Sequence, residues 1–300
     1  MGKSPTVHRR RLGSELRRMR EDAGRTHREV AAHLDCSQGK ISQIELGRVP
    51  VRTSDVRLMT EFYGAGERAA ELVDLAQGSK QRGWWQEYPS TAQRPGFETY
   101  LGLETAAKAV SCFGGDPLPE LLRTDEYDAA LLESGSSGTD AAEKQERLAV
   151  TAARQQRLLG EQPLELWAVL DESALRRVVG SAAVMRNQLE HLVRMGYRRN
   201  VTIQVLPFTA GGHPLMTDRV TVFSFPEEAD PQVVHLGDSV NARFLDKPGE
   251  TRDHLAGFEQ VCASALGPKD SSAFISTVAD RCGDPGSARV EPSGEQSSGN

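Results

Sequence analysis

Apolar side chains at Leu12, Leu16, Met19 and Ala23 fall at spacings of four, three and four, the stripe of an amphipathic helix with Arg17, Arg18 and Arg20 outside it. Gly24 ends that helix. Thr26, with Glu29 three residues on, forms a capping box for a second, short helix that turns Val30, Ala31 and Leu34 inward. Asp35 and Cys36 make a turn, Ser37 caps a third helix, and Ile41 and Ile44 are its buried face before Gly47 closes it. Val56, Met59 and Phe62 mark a fourth helix, and Leu72, Val73 and Ala76 a fifth.

Beyond residue 80 the pattern changes. Trp84, Trp85, Tyr88, Phe97, Tyr100 and Leu103 concentrate aromatic and apolar area expected in a core. Residues 141–159 read as a strong helix with Leu148, Ala152, Gln155 and Leu159 on one face. Strands are predicted at 164–170, at 201–207, where the alternation is strict, at 220–225 and at 232–236, with helices at 173–179, 182–195, 255–266 and 272–278. The fold class expected is therefore multidomain: an all-α head followed by an α/β, mixed α+β, C-terminal domain. Its boundaries are set at residues 1–80, 81–280 and a tail at 281–300. Residues 77–83 and 134–139 read as surface connectors. The tail is rich in Gly, Pro, Ser and Glu and is expected to be disordered, because it has too little apolar surface to offset the entropy of ordering.

Charge sharpens the division. Residues 1–57 hold 13 Lys and Arg against 7 Asp and Glu, net +6, so residues 58–300 carry the remaining 23 against 35, net −12. A basic head on an acidic body suits contact with a polyanion, although a solvated arm has the same composition. No run approaches the roughly 18 apolar residues of a membrane span, and no secretory signal opens the chain, so a cytoplasmic protein with no membrane partner is expected. Cys36, Cys112, Cys262 and Cys282 form no CxxC pair and read as reduced thiols, and the histidines are too dispersed for a metal site.

Two short helices joined by a tight turn, the second ending at glycine, form a helix-turn-helix pattern over residues 26–47. Through Thr26, Glu29, Val30, Ala31, Cys36, Ser37, Ile41, Ile44, Glu45 and Gly47 this segment resembles the lambda-repressor-like, xenobiotic-response-element family of regulators. The resemblance implies that the second helix of the motif enters the major groove of double-stranded DNA. With Ile41 and Ile44 facing inward, Gln38, Lys40, Ser42 and Gln43 remain for DNA, and the Gln38 amide matches adenine N6 and N7. Lys40 reads as a guanine or phosphate contact or as a solvated lysine. Ser37 caps the helix and offers its backbone N–H to a phosphate. The resemblance also places Arg48 and Arg52 over the duplex backbone. His27 stands where relatives usually carry a glutamine that braces the recognition helix and binds phosphate, and Gly39 where many carry a second reading side chain. Arg9, Arg10 and Arg11, placed before the first helix, read either as an arm tracking the backbone or minor groove, or as a frayed solvated arm.

Through Gly83-Trp84-Trp85, residues 100–104, residues 118–124, Arg154-Gln155-Gln156-Arg157, residues 170–175, residues 188–192 and residues 205–208, most of the chain resembles the WhiJ-like actinobacterial developmental regulators. That resemblance implies a sequence-specific transcriptional regulator whose C-terminal domain senses an unknown small-molecule effector or a partner, often a small companion protein. The motif itself favours a homodimer, because two recognition helices read two half-sites. The competing reading is an antitoxin-like protein that binds a small companion and autoregulates its own operon. No P-loop, dinucleotide fingerprint, HExxH or G-x-S-x-G is present, so neither catalysis nor a cofactor is expected. Asp171-Glu172 and His213 are the nearest approach to catalytic side chains. The first pair is expected to be structural, since adjacent residues point apart.

Overall fold

The computed structural model describes residues 4–92, 94, 96–135, 140–227, 230–237 and 242–282. Most of the expected connector at 134–139 and all but the first two residues of the expected tail lie outside them. An all-helical head leads into a mixed α/β region, as the periodicity predicts. The head comprises α1 (Pro5–Asp22), α2 (His27–His33), α3 (Gln38–Glu45), α4 (Thr53–Phe62) and α5 (Ala69–Gly78). It is followed by a 3-10 turn at Trp84–Glu87, α6 (Pro89–Ala92), α7 (Phe97–Ala106), β1 (Ala109–Gly114), α8 (Asp125–Gly135), α9 (Ala141–Gln155) and β2 (Glu165–Asp171). Next come α10 (Glu172–Arg176), α11 (Ala182–Gly196), β3 (Val201–Leu206), β4 (Val220–Ser224), β5 (Val233–Leu236), β6 (Arg243–Leu245), α12 (Pro248–Ser264) and α13 (Pro268–Arg281). The strand order is β3-β2-β1-β4-β5-β6.

The chain divides into two compact units, Met1–Ser111 with Val220–Leu255, and Cys112–Arg219 with Ala256–Asn300. In the first unit, Leu12, Leu16, Val30, Ile41, Ile44, Val56, Met59 and Leu72 form the core of the helical head. Each such fully buried side chain contributes about 1.5–3 kcal/mol relative to exposure. The antiparallel strands β4, β5 and β6 belong here, with Val222 opposite Val234 and Val234 opposite Leu245. The Tyr100 ring of α7 meets Phe223 of β4 and His235 of β5 edge-on, each at 5.1 Å. Helix α1 also packs on α7: a Cβ at Gly102 would stand 2.0 Å from the Thr6 hydroxyl, so only glycine permits that approach.

The arginines expected to precede the first helix are inside it, because α1 starts at Pro5, a residue suited to the first helical turn. Each faces a carboxylate of the same unit. Arg9 lies 3.8 Å from Glu98, Arg11 3.8 Å from Asp230, and Arg10 is hydrogen-bonded to Asp246. They are neither a frayed arm nor a free one.

The second unit holds the parallel pair β2 and β3, in register from Leu166 opposite Val201 to Asp171 opposite Leu206. Helices α10 and α11 make the crossover that parallel strands require. The strict alternation of β3 predicts one wet face, yet five of its six residues are buried. Helices α11 and α13 both pack on it, and Gln204 is satisfied by Trp167 Nε1 at 2.8 Å and the Leu266 carbonyl at 3.0 Å. In α9 the buried residues are Val150 and Arg154, not Leu148, Ala152 and Gln155, and Leu159 is exposed beyond the helix. The Arg154 guanidinium sets the rotation by donating to Glu120.

Candidate nucleic-acid interface

Helix α2 begins as its sequence requires. Thr26 is extended at φ −90°, its hydroxyl accepts the Glu29 N–H at 3.3 Å, and the Glu29 carboxylate accepts the Thr26 N–H at 2.8 Å. These bonds hold the Glu29 carboxyl below its ordinary range, the backbone bond first. Asp35 carries the reversal at φ +47°, the left-handed region that a short polar side chain tolerates, and the Cys36 N–H closes it on the Ala31 carbonyl at 2.9 Å. Ser37 is extended, and its hydroxyl accepts the Lys40 N–H at 3.2 Å to start α3.

Two glycines fix where α3 sits. A Cβ at Gly13 of α1 would lie 2.5 Å from the Ile44 carbonyl oxygen, and one at Gly47 would lie 2.7 Å from the Arg10 Cα. Gly47 also has φ +64°, which ends α3 with a left-handed turn. The end of α3 is thereby seated directly on α1.

The same end is clamped by charge. Glu45 accepts Arg20 Nε at 2.7 Å and Nη2 at 3.0 Å, while His27 Nε2 lies 2.9 Å from its second oxygen. The Glu45 side chain is only 3% exposed and that of Arg20 9%. Arg20, read from its charge as lying outside the α1 stripe, is therefore buried. Its guanidinium is held above the ordinary range, chiefly by the bonds to Glu45. One carboxylate thus joins α1, α2 and α3. Glu45 lies four residues after Ile41, hence on the buried face of α3, and a carboxylate there requires a cation; that was the available signal for Arg20. His27 contacts Glu45 near the end of α3, where the family pattern would have a glutamine bracing the helix.

With that end fixed, the opposite end of α3 is open. Ser37, Gln38, Gly39 and Lys40 are exposed, Ser42 and Gln43 are half-buried, and Arg48 and Arg52 are exposed after the helix. Lys40 is paired: its Nζ stands 3.5 Å from Asp55 at the start of α4. Most head arginines are paired too, Arg17 with Glu21, Arg18 and Arg68 with Glu15, and Arg25 with Glu29. By contrast Arg28, Arg48, Arg52 and Arg57 are exposed and meet no carboxylate among the described residues. Arg28 and Arg57 were missed by the motif reading. Arg28 sits in the first turn of α2, where a cation opposes the helix dipole.

Elsewhere, the carboxylates that suggest chemistry are bound into structure. Asp171 caps α10 through the Ser173 N–H at 2.8 Å, and Glu172 accepts Arg176 Nε at 2.5 Å and the Phe208 N–H at 2.8 Å. His213 meets Phe113 edge-on at 5.0 Å. Gln188 donates to the Leu122 carbonyl at 2.7 Å and accepts the Thr124 N–H at 2.6 Å, Gln155 donates to the Glu120 and Arg123 carbonyls at 2.9 Å each, and Arg123 pairs with Asp128 at 2.7 Å. Residues 118–124, the Arg154-Gln155 passage and Gln188 are thus parts of one partly buried polar network. No group of three or more His, Cys, Asp or Glu able to hold a metal occurs among the described residues, and none of their helices is long and apolar enough to cross a membrane.

Comparison with known families gives two matches. A helix-turn-helix domain matches residues 11–73, and the domain of unknown function DUF5753 matches residues 97–277. No curated protein and no solved structure matches the chain.

Proposed function

The chain belongs to the DUF5753 family, and from that premise, with the helix-turn-helix head before it, we propose that it is a sequence-specific transcriptional regulator of the lambda-repressor-like type, akin to the WhiJ-like regulators. The observation that carries this reading is the polarity of α3: one end is clamped through Glu45, the other presents Gln38 and Lys40 to solvent, on a head that also exposes Arg28, Arg48, Arg52 and Arg57.

In the mechanism that follows, the first turn of α3 enters the major groove. The Gln38 amide pairs with adenine N6 and N7, a contact that discriminates by about 1–3 kcal/mol. Arg28, Arg48, Arg52 and Arg57 supply charge for phosphates, which fixes register without reading bases. Lys40 exchanges Asp55 for DNA. Ser37 offers its N–H to a phosphate, and Ser42 and Gln43 line the edge of the contact. Two copies bind as a homodimer at half-sites one helical turn apart, about 34 Å. The chain acts in the cytoplasm, without a catalytic step or cofactor, and its non-DNA region responds to an effector or a small companion protein.

Genomic footprinting of the full-length protein tests this reading. A recurrent operator with two half-sites at helical spacing is the expected result. Binding that is equal on all fragments, together with a Gln38→Ala variant indistinguishable from the parent, defeats it.

A further inference from the structure

A cavity of about 490 Å³ opens inside the first unit, where α1 and the end of α3 face α7 and the β4–β6 segment. That is the size of a pocket for a small organic molecule. Its apolar wall includes Leu46, Leu103, Phe225 and Val233. Leu46 is 40% exposed there, a large apolar side chain left in contact with solvent at the end of the recognition helix.

The polar wall has an imbalance of hydrogen-bonding capacity. Its carboxylates are already engaged: Glu15 by Arg18 and Arg68, Glu21 by Arg17, Glu45 by Arg20 and His27, and Asp246 by Arg10. The guanidinium of Arg11 is different. Its side chain is 29% exposed and its nearest carboxylate, Asp230, stands 3.8 Å away, beyond hydrogen-bond distance. A guanidinium has five N–H donors, so Arg11 has donor capacity that the cavity's own acceptors leave unused.

Resting on the regulator reading above, we propose that this cavity binds a small amphipathic anion, an apolar body carrying one carboxylate, sulfonate or phosphate, with Arg11 receiving the anionic group and Leu46 and Phe225 the apolar body. The same walls connect the ligand to DNA. Glu45 and Leu46 end α3, and Arg10 lies against Gly47 while its head group bonds Asp246. A ligand seated there bears on the clamped end of the recognition helix, and its affinity and that of DNA are coupled reciprocally.

The test uses 8-anilinonaphthalene-1-sulfonate with the full-length protein, and N-phenyl-1-naphthylamine as the matched probe without the sulfonate. Saturable one-to-one binding of the sulfonate is expected, at least tenfold tighter than the neutral probe. Arg11→Gln should weaken the sulfonate at least tenfold and leave the neutral probe unchanged. Ser14→Trp, a solvent-exposed helical position that lines the cavity, should abolish both. Saturating sulfonate should shift the half-saturation concentration for a bound genomic fragment severalfold in the parent and not in Ser14→Trp. Equal sulfonate binding by all three proteins, or none by the parent, overturns the site. An unshifted DNA titration overturns the coupling. DNA binding without probe binding leaves the regulator reading standing and removes this one, whereas Arg11-dependent probe binding by a protein that binds no DNA does the reverse.

Discussion

The Glu45 carboxylate receives the Arg20 guanidinium on both oxygens, at 2.7 and 3.0 Å, and this buried pair binds the last residue of the recognition helix to α1. Removing one partner leaves the other charged and dehydrated. Arg20→Met should therefore destabilise the protein by about 3 kcal/mol, the low end for a broken buried pair, because half-exposed His27 remains as a second partner for Glu45. Urea unfolding of the parent and variant measures this. A loss below about 0.5 kcal/mol would mean that the pair contributes only what surface pairs do.

Base reading and phosphate positioning separate in two variants. Gln38→Ala should cost about 1–3 kcal/mol at a single operator base pair and relax the preference there. Arg48→Ala should weaken all sequences alike and lower the slope of log affinity against log salt by about 1. Gel-shift titrations on matched and singly substituted sites at several salt concentrations distinguish the two, and identical loss profiles would remove the assignment of Gln38 as the reader.

Asp55 stands 3.5 Å from Lys40, so in the proposed docking it competes with DNA for that lysine. Asp55→Asn should release the lysine and tighten binding to all sequences, by up to about fivefold given the strength of exposed pairs. Asp55 also lies in the first turn of α4, so the same change should lower stability by about 0.3–1 kcal/mol through the helix dipole. Tighter DNA binding that is confined to one operator base pair would instead make Lys40 a base reader.

The parts of this head that were legible in the sequence are those written in local rules. The box formed by Thr26 and Glu29, the Ser37 cap and the stripe of Leu12, Leu16 and Met19 depend on neighbours three or four residues away. What was not legible depends on distant partners. Nothing near Arg9, Arg10 and Arg11 announces Glu98, Asp246 and Asp230, and a buried Arg20 looks like a surface arginine until Glu45 is known to face it. Strands β1 and β6 escaped for another reason. Ala109–Gly114 is rich in small residues, and Arg243–Leu245 is too short to show a period. At the interface, the exposure of Gln38 and Lys40 followed from Ile41 and Ile44 facing inward, but the Asp55 partner of Lys40 did not.

The capping box gives the head a pH dependence with a defined sign. Glu29 titrates below its ordinary range because it accepts the Thr26 backbone N–H and hydroxyl. A depressed carboxylate adds stability above its unfolded value, and that contribution is lost as the pH falls through the folded one. The stability difference between the parent and Glu29→Gln should be constant above the ordinary carboxylate range and close as the pH falls through and below it. Thermal unfolding across that range reads it, and a gap that widens on acidification would show that the carboxylate opposes the fold.

Gly39 separates stability from recognition. It lies in the first turn of α3, exposed, and a Cβ built there meets only the Ser37 hydroxyl, at 3.9 Å. Its φ is ordinary, since it is not among the glycines with positive φ. Gly39→Ala therefore meets no steric objection within the protein and should stabilise the fold by up to about 1 kcal/mol, the propensity difference between the two residues in a helix. In the proposed docking, the missing Cβ allows the backbone at this place to approach DNA closely. The variant should accordingly unfold at higher urea while binding its operator more weakly, with the loss growing further for Gly39→Leu. Gains in both stability and operator affinity would show that the first turn of α3 stands clear of the duplex, and the docking proposed for Gln38 would fall with it.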